Sequence, residues 1–170
     1  QVANSVAAAN ITGQVANALV AGTVYLSNQP NITSLGDLTS LTLTSTSIAL
    51  GLDSGAGSFG ISIGNAAGNT GQASQGIAIG RQAGRTNQET GAVAVGYSAG
   101  YTGQGQTAVA IGYAAGQFSQ GDRSIAIGSS AGGANPGQFA NAIAIGQSAG
   151  RSSQGEDSIA LGSYAGDTSQ

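Results

Sequence analysis

The chain has 170 residues and a formal net charge of −3, with 30 Gly, 6% charged and 5% aromatic residues, and no Cys, Met, Trp or His. So few large side chains exclude an ordinary compact core, which draws on roughly 25 cal/mol per Å² of buried apolar surface, and two prolines without a Gly-X-Y period exclude collagen. Four arginines and no lysine give no basic patch for nucleic acid, and no apolar run reaches transmembrane length, so neither nucleic acid nor direct membrane insertion is expected.

The first segment, residues 1–53, differs from the rest. Residues 1–21 are rich in Ala and Asn and lack heptads, so no coiled coil is expected. Leu35, Leu38, Leu41 and Leu43, followed by Ile48 and Leu50, form an apolar, Thr-rich strand series. Turns are expected at Gln29-Pro30-Asn31 and at Gly36-Asp37. A domain boundary is expected near Asp53–Gly57.

From residue 54 to 170 the chain is periodic. ISIGNAAG from Ile61 recurs as IAIGRQAG from Ile77, VAVGYSAG from Val93, VAIGYAAG from Val109, IAIGSSAG from Ile125, IAIGQSAG from Ile143 and IALGSYAG from Ile159. The turn glycines Gly64, Gly80, Gly96, Gly112, Gly128, Gly146 and Gly162 are 16 residues apart, except for an 18-residue step between Gly128 and Gly146. That step is expected to bulge around Pro136. A glutamine stands eight residues after each turn glycine, from Gln72 through Gln88, Gln104, Gln120 and Gln154 to Gln170, with Gln138 fitting once the insertion is allowed for. Such a period is the mark of a stacked solenoid.

Apolar-small-apolar alternation is the pattern of a strand, and β-branched residues suit it. Sixteen residues make one coil with two short strands and two bends. Coils stacked about 4.8 Å apart give a rod on the order of 34 Å long. The branched pair of each repeat, such as Ile125 and Ile127, is expected to point inward with the alanine three after the turn glycine, such as Ala131. The small residue between the pair (Ser62, Ala78, Ala94, Ala110, Ala126, Ala144, Ala160) is then expected outward, against neighbouring copies. The glutamines read as a structural amide ladder.

SIAIGSSAG (Ser124 to Gly132) and SIALGSYAG (Ser158 to Gly166) resemble the YadA-type head repeat of trimeric autotransporter adhesins, over roughly residues 60–170. The resemblance implies an all-β, left-handed parallel β-roll in a homotrimer, extracellular on a cell or fibre surface, with adhesion as its role. QPNITSLGDLTSLTL resembles a linker of long trimeric fibres found in phage tails, large viruses and tail-fibre-like adhesins of predatory bacteria. It implies an intertwined β segment over residues 1–53, tying three chains together ahead of the β-roll.

Catalysis and metal binding find no support in the residues. There is no His for a hexapeptide-repeat acyltransferase, no base beside a Ser nucleophile, no calcium-binding glycine-aspartate array and no organic cofactor motif. A Thr ladder for ice binding breaks where Thr70, Thr86 and Thr102 give way to Phe118 and Ala134. The candidate ligand-binding residues are aromatic and basic: Arg81, Tyr97 and Tyr113 share one column, and Arg85 precedes Tyr101 in a second. Arg-over-Tyr stacks there would give an edge for a glycan or protein ligand, or simply brace the coil. Phe118 and Phe139 are expected either to act similarly or to cap the insertion. Two functions are thus open: a recognition head, or a passive spacer holding a binding tip elsewhere.

Overall fold

A computed structural model describes residues 47–134 and 137–168, and these form an all-β parallel solenoid of about seven coils, spaced mostly sixteen residues apart. The residues expected to intertwine, Leu35 through Leu43 among them, lie outside the described residues, as do Pro136 and Gln170. The stack starts ahead of the boundary expected near Asp53–Gly57, because the first strand already pairs with the first repeat.

One sheet runs the length of the stack. It comprises β1 (Ile48–Leu50), β2 (Ile61–Ile63), β3 (Ile77–Ile79), β5 (Val93–Val95), β7 (Val109–Ile111), β9 (Ile125–Ile127), β10 (Ile143–Ile145) and β11 (Ile159–Leu161), every neighbouring pair parallel. A second sheet holds β4 (Thr86–Gln88), β6 (Thr102–Gln104) and β8 (Phe118–Gln120). Isolated bridges continue it at Thr70↔Thr86, Gln138↔Gln154 and Ser152↔Thr168. The registers place identical repeat positions over one another, as in Ala94↔Ala110 and Gln88↔Gln104.

The 18-residue step does not disturb this. Ile125 still pairs with Ile143, Ala134 N donates to Arg151 O at 2.9 Å, and Gln138 bridges Gln154. The described residues on either side of the insertion, Ala134 and Gln138, thus both keep register with the next coil.

The turns explain the glycines. Gly96 has φ 128°, and a Cβ there would sit 2.4 Å from Gly112 O in the next coil, so both its conformation and the backbone above it require glycine. Gly100, at φ 54°, leaves room for an interior amide: its Cβ would lie 2.6 Å from Gln104 Oε1.

The interior corrects the expected orientation of the long sheet. Ala78, Ala94, Ala110, Ala126 and Ala144 are 0% exposed and Ala160 1%, all within a single chain. They meet Ala67, Ala83, Ala99, Ala115, Ala131 and Ala149 in one cluster, and Ser62 is buried in the same row. The alanine three after the turn glycine thus lies inside as expected. The strand alanines also face inward, not toward sister chains, and the branched residues flanking them face outward. The physical reason is width. A Cβ on Gly100 would already stand 3.3 Å from the Ala94 methyl, so the space between strand and turn admits methyl groups and a flat amide but not an isoleucine.

The third interior column is glutamine. Gln72 Nε2 donates to Gln88 Oε1 at 2.9 Å, Gln88 to Gln104 at 3.1 Å, Gln120 to Gln138 at 3.3 Å and Gln138 to Gln154 at 2.8 Å. Most of these amides also donate to backbone carbonyls of their own coil. Gln104 Nε2 reaches Val93 O at 2.7 Å and Ala108 O at 3.2 Å. The ladder is interrupted at Gln120, whose buried Oε1 has no hydrogen-bond partner. Buried amides cost free energy unless bonded, and the repeat bonds them along the axis.

Candidate functional site

With alanine and glutamine inside, the outer surface carries what the repeats vary. The long sheet presents two columns of side chains outward, one at each end of its three-residue strands. Every one of these positions is Ile, Val or Leu. Ile63, Ile79 and Ile111 are 38%, 37% and 39% exposed. An uncharged, aliphatic strip along eight strands is a larger apolar feature than the scattered exposed hydrophobics of an ordinary surface. Sequence reasoning missed it, because it placed these residues inside.

Tyr97 and Tyr113 sit on the turn that follows the long sheet. The rings of Tyr97 and Tyr113 stack at 5.2 Å with a 7° interplanar angle. The Arg81 guanidinium lies 5.6 Å from the Tyr97 centroid. Both contacts arise because each residue directly follows a turn glycine on successive coils. In the second column Arg85 lies 5.3 Å over the Tyr101 ring and its Nη1 donates to the Tyr101 hydroxyl. Tyr101 meets Phe118 edge-on at 6.5 Å. The structure thus brings Arg81, Tyr97 and Tyr113 into one stack, and Arg85 and Tyr101 into another.

These stacks use most of their own binding capacity. Tyr97 lies between Arg81 and Tyr113, and it is 40% exposed. Tyr113 is 60% exposed, and its next neighbour in the column is only Ser129. The face of Tyr113 toward Ser129 carries no stacked ring. Such contacts are worth ~0.5–1 kcal/mol each at exposed sites.

Other outward columns are likewise bonded along the axis. Arg123 Nε donates to Asn141 Oδ1 at 2.8 Å, Asn141 Nδ2 donates to Asp157 Oδ1 at 2.9 Å, and Arg151 pairs with Asp167 at 2.9 Å. Asp122, which stands beside Arg123 in sequence, instead accepts from Gln106 N at 3.0 Å. Phe139 is 54% exposed, next to the insertion. Among the described residues no group of three or more His, Cys, Asp or Glu gathers as a metal site, and no helix is long and apolar enough to cross a membrane.

No protein-family model, curated protein or solved structure matches the chain.

Proposed function

We propose that this chain is an attachment segment of an extracellular, homotrimeric fibre on a cell or virion surface, a left-handed β-roll whose outer columns meet host, prey or surface ligands. The observation that carries the reading is the outward Ile/Val strip of the long sheet. A lone coil leaves this strip wet, and burial favours covering it by roughly 25 cal/mol per Å². The occupant that fits is a sister chain. An identical rod has the same rise per coil, so its branched columns mesh rung by rung along the whole stack, and an aperiodic partner would match only a few rungs. The self-association expected from the sequence is kept, but its surface moves from Ala78, Ala94, Ala110, Ala126, Ala144 and Ala160 to the branched residues beside them.

In this reading Arg81, Arg85, Tyr97, Tyr101 and Tyr113 form the recognition edge, with Tyr113 as its open end. The test is adherence of the assembled protein to cells and to immobilised glycans. Tyr113→Ala should reduce binding several-fold, and the double change Tyr97→Ala with Tyr113→Ala at least as much. Unchanged adherence would remove this edge from the account.

A second reading, a passive spacer, is favoured by the outward side chains that bond to their own neighbours along the axis, such as Arg123 to Asn141 and Asn141 to Asp157. It predicts no adherence at all by the wild-type segment.

A further inference from the structure

Phe139 stands on a bare stretch of the coil. In its column the two preceding coils carry Gly121 and Gly105 and the following coil carries Gly155, and Phe139 is 54% exposed. The same column is closed three coils away by the exposed carboxylate of Glu89, roughly 14 Å distant at one strand spacing per coil. Between them runs an open groove along the second sheet, floored by glycines and walled by Asn87, Ser119, Asp122 and Phe139. The floor is bare for a steric reason. A Cβ on Gly105 would meet Asp122 N at 2.6 Å, and one on Gly121 would meet Phe139 C at 2.5 Å. Asp122 is held in place by the bond from Gln106 N to its Oδ1.

We infer that this groove is a second ligand site, for an uncharged oligosaccharide. An exposed aromatic ring offers a face to the C–H side of a pyranose. Asp122 and Glu89 supply carboxylate acceptors for sugar hydroxyls, and the Asn87 amide and Ser119 hydroxyl supply donors as well as acceptors. The groove walls hold two carboxylates and no cation, since Arg123 is turned to Asn141. Sialylated, uronate and sulfated chains are therefore repelled. The site rests on the attachment reading and gives it a ligand class, but it is separate from the Tyr113 edge.

The test uses the assembled wild-type protein with neutral gluco-, galacto- and manno-oligosaccharides, and with sialylated and uronate chains as controls, by saturation-transfer NMR and titration calorimetry. At least one neutral chain should bind, and Phe139→Ala should weaken it tenfold or more. Gly103→Asn should do the same by narrowing the groove. It is a tolerable change, because a Cβ at Gly103 meets Ser119 Cα at an ordinary 3.6 Å and Asn87 holds the same column position at φ 54°. Binding of no neutral chain, preference for acidic chains, or full binding by Phe139→Ala would overturn the site. If cell adherence persists in that event, only the groove falls; if adherence is absent too, the attachment reading falls with it.

Discussion

Gln88 donates from Nε2 to Oε1 of Gln104 at 3.1 Å, one coil further on, and both side chains are wholly buried. Gln104 in turn donates to Val93 O and Ala108 O. One amide thus satisfies its own coil and links it to the preceding one, in an interior otherwise lined by methyl groups.

Replacing it should therefore be costly. Gln104→Leu keeps the volume but removes the acceptor that Gln88 Nε2 meets in the next coil and the amide that donates to Val93 O and Ala108 O, for a loss of about 3 kcal/mol in urea unfolding. Gln104→Glu should be worse at neutral pH. Burial raises the folded-state pKa of the introduced carboxyl above its unfolded value, so the variant is least impaired below the ordinary carboxylate range and loses stability as pH rises through it. Equal stability of this variant at pH 4 and pH 8 would contradict a sealed amide column.

The inward alanines make a second, opposite pair of expectations. Ala94→Val adds two methyl groups to a space with no room for them and should destabilise by roughly 2–3 kcal/mol. Val95→Ala, on the outward side of the same strand, should cost less than half of that in the isolated coil. A thermal melt ranking the two the other way round would return the branched residues to the interior.

Gly96→Ala tests the turn. Its φ of 128° and the 2.4 Å approach of Gly112 O leave an added Cβ nowhere to go, so a loss of at least ~3 kcal/mol is expected. Gly103→Ala keeps a left-handed φ of 69° but meets only an ordinary contact to Ser119, so it carries the backbone penalty alone and should cost about a third as much. Similar melting temperatures for the two would mean that successive turns do not stack as described.

Much of this was readable from the residues, and the misplaced sheet face has one cause. The sixteen-residue period, the turn glycines and the glutamine column fix the coil and its stacking, because only repeated backbone geometry demands Gly96 over Gly112 and Gln88 over Gln104. The Arg81–Tyr97–Tyr113 stack also follows from column positions alone. Alternation in Ile-Ala-Ile says which residues share a face but not which face is inside. Volume suggested the isoleucines, whereas the gap between Ala94 and Gly100 admits only the alanine. The signal available was uniformity: the Ala and Gln columns barely vary from coil to coil, as an interior requires. The groove at Phe139 was harder to see, since its shape depends on the missing side chains of Gly105 and Gly121.

The assembly surface is the part of the account on which the fibre depends. Sedimentation equilibrium of the chain, together with Ile79→Lys plus Ile111→Lys, addresses it directly. The wild type should run at three times its 16.3 kDa mass, and the doubly substituted protein should dissociate with its β signal retained. A wild type that sediments as a single 16.3 kDa chain, with its branched strip facing water, would contradict the account.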